Sequence, residues 1–459
     1  MGTSQITPEL LITEIDFKKY NLGEEEKDIV KKCKAVFVSQ QSGNREVQNI
    51  KTLEFMKSVW MKYDCKEVAE IYDKFIKMEE ALFGLLREER EGKRYRDHFI
   101  HMFNCFVFGV RFISSVFDQI TREDFMCMFK VNDENLKEVG LPFGSNYKCH
   151  QRLFYMWTLA STFHDIAKPF QNLADLGKGI NRFVDEFGWA SSNPELTMHY
   201  FDSSQLHDYF HLISSVYGGG LILEDDGRRY KKDNSHHYLT KILGREFDRL
   251  DHGVLSGFFM WKTIEEIFLT DRSPKYPLSM EEFNLYTEHV LEQDIARVAL
   301  AISLHGIGGI GKDKRTSALP KVYPISFGSF PLVFLLILSD ELQEYLRWEG
   351  ATVKKERKFT CHPKLDTKID QDKKEIKMIV TFLVDKQDTL EIIEVANRMA
   401  KHNKQEHVTN IKDAVDLIGN SMTEGLKKRL SFDRHFMLQL EIHDEDDNEL
   451  HSMKIGFED

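Results

Sequence analysis

Apolar residues recur at helical spacing through most of the first 350 positions. Leu53, Met56, Val59 with Trp60, and Tyr63 fall on one face, and Val68, Ile71, Phe75, Met78 and Leu82 extend the pattern, which predicts helix over 51–90. A shorter helix is predicted from about Glu24 to Val36, and a long apolar one from Arg94 to about Phe117. Residues 121–150 read as a looser connection with Gly140-Leu-Pro-Phe-Gly144 as a turn, before an apolar helix from Trp157 that Pro169 stops. Three more helical blocks open at Leu250, Asp294 and Pro331, the last running to Trp348. Between about 170 and 245 the pattern is polar, and this stretch reads as an insertion folding over the centre as a lid or substrate wall.

From about Lys354 the texture changes. Lys373 to Val384 alternates and is β-branched, as a strand does; Thr389 to Lys401 and Asp413 to Arg429 read as helices; Phe436–His443 and Leu450–Phe457 read as a closing hairpin. The predicted class is mainly α, a helical bundle with a small C-terminal α+β appendage. The expected divisions are 1–93 (helical scaffold), 94–350 (the domain carrying the chemistry) and 351–459 (accessory).

Composition narrows the partners. A formal net charge of −12 argues against a broad nucleic-acid surface, although a local basic pocket for one phosphorylated small molecule remains compatible with it. Six scattered cysteines without a CxxC pair read as free core thiols in a reducing compartment. The N-terminus lacks a basic-then-apolar signal pattern and the run Phe330–Leu338 is too short to span a bilayer, so a cytoplasmic location without membrane association is expected.

Candidate chemistry concentrates where His and Asp interrupt apolar helices: His98 and His101 three apart, the adjacent pair His164-Asp165, then His252, His305 and Asp340. A buried carboxylate without a partner is strongly unfavourable, and a divalent cation would supply one. The many histidines of the insertion, His199, His207, His211, His236 and His237, read as surface imidazoles.

The ordered set His, His-Asp, His, His, Asp resembles the HD-domain metal-dependent phosphohydrolase superfamily, over residues 94–348. The resemblance implies an HD-type helical bundle in which His98, His164, Asp165 and Asp340 hold one divalent ion. It also implies that His252 and His305 hold a second, with Asp165 bridging the two. Imidazole with carboxylate suits Mn, Fe, Mg, Zn or Ni. The implied activity is hydrolysis of a phosphate ester or anhydride of a nucleotide or cyclic nucleotide by metal-activated hydroxide. Asp165 and Lys168 are the expected catalytic residues, with Lys168, Arg94, His101 and Arg347 facing substrate and Arg96 and Gln343 as further pocket candidates. Asp97 and Asp251, each directly before a ligand candidate, are candidate acceptors for an imidazole N–H. The long gap from Asp165 to His252, and Gly306 directly after His305, depart from the tighter run of cyclic-dinucleotide phosphodiesterases. Alternatives are a dNTP triphosphohydrolase, or a metal-binding regulatory or sensor module without turnover. A homo-oligomer or a protein partner would engage the C-terminal domain.

Overall fold

A computed structural model describes residues 26–41, 44–62, 66–86, 98–120, 149–171, 203–216, 223–225, 228–230, 235–248, 250–269, 280–307, 321–322, 325–346, 363–384, 389–403, 407–432, 435–444 and 446–456, together with Glu9, Leu11, Ile12, Ile15, Asp124, Met128 and Phe129. Helices dominate these residues, and a four-stranded sheet lies near the C-terminus, so the protein is mainly α with a small α+β appendage.

Ten helices precede the appendage among the described residues: α1 (Glu26–Gln41), α2 (Arg45–Lys62), α3 (Lys66–Leu86), α4 (His98–Phe117), α5 (Cys149–Phe163), α6 (Ser203–Val216), α7 (Ser235–Asp248), α8 (His252–Leu269), α9 (Met280–Ile307) and α10 (Pro331–Leu346). Helix α4 is long and apolar enough to cross a bilayer, and 94% of its apolar window is buried inside the protein. Helix α10 shows why polar groups end up in this interior. Its seven consecutive residues Leu332–Leu338 are all buried, and burial of side chains of this size contributes about 1.5–3 kcal/mol each. That sum exceeds the several kcal/mol that desolvating one ion costs. The helix is therefore driven inward, and Asp340 must find its partners there.

Helix α5 packs against α4 through Trp157. Its indole Nε1–H donates to the Phe106 carbonyl at 2.9 Å, and its ring lies over Gly109, where an added Cβ would stand 2.1 Å from ring carbons. The glycine here makes room for the indole of the helix that leads into the His164-Asp165 turn.

The polar stretch does not behave as a surface flap where it is described. Tyr209 and Ile213 of α6 and Leu239, Ile242 and Leu243 of α7 are buried in the common core. Tyr209 shares a 2.7 Å hydrogen bond with Ser303 of α9, an inward contact that a polar average over the segment hides. A hairpin of β1 (Leu223–Asp225) and β2 (Arg228–Tyr230) pairs with β3 (Lys321–Val322), tying the insertion to the segment between α9 and α10.

The appendage contains β5 (Lys364–Asp370), β6 (Glu375–Val384), α11 (Thr389–Asn403), α12 (Ile411–Arg429), β8 (Phe436–Asp444) and β9 (Glu449–Ile455). The sheet order is β5-β6-β8-β9, antiparallel except for the β6–β8 pair, which the two helices connect. Strand β5 was not expected from the alternation pattern, since its burial is mostly partial, as befits an edge. The unit is joined firmly to the bundle. Strand β4 (Ile325–Ser326) pairs in parallel with β7 (Leu430–Ser431), Phe436 packs on Phe327 and Phe334 with ring centroids at 5.2 and 4.9 Å, and Arg111 donates to the Pro363 carbonyl at 2.9 Å.

Replacing Gly109 by Ala drives a methyl into the Trp157 ring, an overpacking expected to cost about 1–3 kcal/mol. A fall in the urea midpoint at constant m-value checks this; an unchanged midpoint would contradict the α4–α5 contact.

Candidate metal centre

Five helices of the bundle deliver the sequence-predicted side chains to one buried point. Helix α4 carries His98 and His101. The turn that ends α5 carries His164 and Asp165, held by the His164 N–H to the Ala160 carbonyl (3.1 Å) and by the Lys168 N–H to the Asp165 carbonyl (2.9 Å). The same turn is pinned from two sides. Ala167 N–H donates to Ser256 Oγ of α8 at 3.0 Å, and Tyr72 of α3 donates to the Thr162 carbonyl at 2.7 Å. Helices α8, α9 and α10 bring His252, His305 and Asp340.

Asp165 is the centre, and its two oxygens face different partners. Oδ1 lies 3.4 Å from His252 Nε2 and 3.7 Å from His305 Nε2. Oδ2 lies 3.8 Å from His164 Nε2 and 3.9 Å from His101 Nε2. On that second side Asp340 Oδ1 is 3.0 Å from His101 Nε2 and 4.0 Å from His164 Nε2. Donor atoms about 2.0–2.2 Å from one cation stand roughly 3.0–3.4 Å apart at right or tetrahedral angles and about 4.2 Å apart when opposite, which is the range these contacts span.

The imidazoles are oriented for coordination. His164 Nδ1 donates to the Ser161 carbonyl at 2.9 Å, and His305 Nδ1 donates to the Ile302 carbonyl, each three residues back in its own helix. Both Nε2 atoms are buried without a hydrogen-bond partner. An orphaned buried polar atom is costly, and here two of them converge on one carboxylate. His164, Asp165 and His305 form a group that could hold a metal ion.

The protonation states agree with this. Burial pushes His164 down to about 4 and His98 down to about 3, and burial followed by Lys168 holds His252 well below its usual range. Burial would raise Asp165, but the neighbouring His164 and His252 outweigh it and hold the carboxyl well below the usual range. Asp340 is likewise lowered against burial, by the His101 hydrogen bond and by Arg429. Neutral imidazoles and ionised carboxylates are the forms a cation takes. His101 is the exception: burial opposes its proton, but Cys105 and Asp340 raise it well above the ordinary value. The proton in its bond to Asp340 is the one a cation would displace.

The geometry parts His98 from His101. His101 meets Asp165 and Asp340, whereas His98 Nδ1 is paired at 2.8 Å with Glu79 of α3, both side chains buried. The histidine three residues after His98, His101, is thus the one that meets both aspartates directly. Asp251 is not an imidazole acceptor. It caps α8, its Oδ1 accepting the Val254 N–H at 3.1 Å, and burial raises its pKa. Lys168 places Nζ 3.3 Å from His252 Nδ1. Gln343 is buried one turn beyond Asp340 on α10, and His207 and His211 are exposed. Arg94, Arg96, Asp97 and Arg347 lie outside the described residues.

Three participants were not anticipated. Glu79 holds His98, and Arg429 reaches Asp340. Cys105 Sγ lies 3.6 Å from His101 Nε2 and 3.8 Å from its Nδ1. With His101 and His164 it forms a second buried group that could hold a metal ion.

No family model, no curated protein and no solved structure matches this chain.

The exchange of roles is testable by metal analysis of the purified protein after loading with Mn²⁺. The variant His101→Gln is expected to lose at least half of the bound metal, and His98→Gln to retain it. Retention in the first with loss in the second would return the ligand role to His98.

Proposed function

We propose that this protein is a metal-dependent phosphohydrolase acting on a nucleotide or cyclic nucleotide, on an HD-type helical bundle. One observation carries the reading: the two oxygens of Asp165 face two separate sets of histidines, His101 with His164 and His252 with His305. A carboxylate shared in this way suits two divalent cations, the first completed by Asp340 and the second by His252 and His305. The donor set of imidazole nitrogens and carboxylate oxygens is compatible with Mn, Fe, Mg, Zn or Ni. Divalent cations in such a pair supply an activated water nucleophile and neutralise charge on a phosphoryl group.

The chain's own residues do the rest. Asp165 and Asp340 fix where positive charge sits. The backbone carbonyls of Ser161 and Ile302 hold the His164 and His305 rings so that no reorientation is needed when substrate arrives. His101, His164, Asp165, His305 and Asp340 are buried, while Lys168 and His252 are the partly exposed members. Substrate therefore approaches from the Lys168 side, where the ammonium can pair with a phosphate oxygen as a compact point charge. Neither a serine nor a cysteine nucleophile is required.

The test is a metal-supplemented screen of bis-p-nitrophenyl phosphate, nucleotides, cyclic nucleotides and dNTPs, read by released product. Turnover is expected with Mn²⁺, lost on chelation and in Asp165→Asn. In Lys168→Ala, kcat/KM is expected to fall about 10- to 100-fold, the worth of roughly one charge-assisted hydrogen bond. Turnover confined to dNTPs would identify a triphosphohydrolase, and metal binding with no turnover of any panel member would favour a sensor module.

A further inference from the structure

The residue that closes α12, Arg429, belongs to the appendage by sequence and to the metal centre by position. Its Nη1 lies 3.4 Å from Asp340 Oδ2 and is also paired with Glu341 Oε1. The other oxygen of Asp340, Oδ1, is the one that faces His101 and His164. The carboxylate is thus divided, one oxygen toward the centre and one toward the guanidinium. We propose that Arg429 is a positioning residue for Asp340, and that the C-terminal α+β unit thereby completes the metal centre. This rests on the reading of that centre given above.

Three observations argue against an incidental contact. Lys427 and Lys428, its neighbours in the same basic last turn, are exposed, as cations that complement a helix dipole usually are, whereas the Arg429 side chain is 14% exposed. The two residues after it, Leu430–Ser431, pair with Ile325–Ser326 just ahead of α10, so backbone hydrogen bonding sets the height at which Arg429 meets that helix. Phe436 then packs on Phe334 of α10 at 4.9 Å, fixing the same approach from the other side. A guanidinium presents its donors in a rigid plane, which suits holding one carboxylate in one rotamer better than a flexible ammonium would.

A purely structural role, satisfying the charge of Glu341, is the competing explanation, and the variants are chosen to separate the two. Arg429→Met with Glu341→Gln removes both charges together and keeps the volumes similar, so the fold is expected to survive, as judged by circular dichroism and Tm. Mn²⁺ affinity, measured by calorimetry, is expected to fall about 10- to 100-fold in this double variant, as for other residues that orient metal ligands. It should be near wild type in Glu341→Gln alone. In the wild type, adding Mn²⁺ should slow amide exchange across residues 426–432, by reciprocal linkage, and the double variant should lose that response. Unchanged affinity in a folded double variant overturns the positioning role while leaving the metal centre intact. Absence of Mn²⁺ binding by the wild type overturns both.

Discussion

Burying an ionised carboxylate among imidazoles inside an apolar bundle is the constraint on which this structure turns. Asp165 is 4% exposed and has four histidine nitrogens within 4 Å, two on each oxygen. Removing a carboxylate from water costs several kcal/mol after relaxation, and neutral imidazoles repay this only in part. Two of the surrounding Nε2 atoms also lack partners. The arrangement is unfavourable as a set of hydrogen bonds and well suited as a set of ligands. The apolar content of α4, α5, α9 and α10 forces the polar groups inward, and their shared location decides what they can do there.

Several ligand candidates are held by something other than a cation. His164 and His305 lean on carbonyls of their own helices, the α5 turn is tied to α3 and α8, and Asp340 is held by Arg429. These supports come from all parts of the chain, including the appendage, whose strand β7 and Phe436 dock against the start of α10. A centre assembled from so many elements is rigid because each element is packed for its own reasons. The change of texture at about residue 350 is thus bridged by direct contacts. In space the two parts share a sheet, an aromatic cluster and an ion pair.

Much of this was legible from periodicity. The helical order, the strand at Glu375–Val384 and the closing hairpin follow from apolar spacing, whereas the gathering of His164, Asp165, His252, His305 and Asp340 was what the resemblance of their ordered set implied. What was not legible depended on direction. His98 and His101 share a helix face, so spacing cannot decide which ring meets Asp340; the packing of α3, with Glu79 opposite His98, decides it. Glu79 did carry a signal, since it continues the buried series Val68, Tyr72, Phe75 and Ile76 at helical spacing. Arg429 carried none, because a terminal Lys-Lys-Arg run reads as a solvated helix end and only the β4–β7 pairing turns its last member inward. In the insertion the polar average conceals the buried faces of α6 and α7.

The most direct measurement is anomalous diffraction from crystals of the full chain grown with Mn²⁺. Two peaks about 3.5–4 Å apart are expected, one beside Asp165 Oδ2 with His101, His164 and Asp340, the other beside Oδ1 with His252 and His305. No peak at Asp165, or a single ion held by His98 with His101 left unligated, would contradict a shared carboxylate at the heart of this fold.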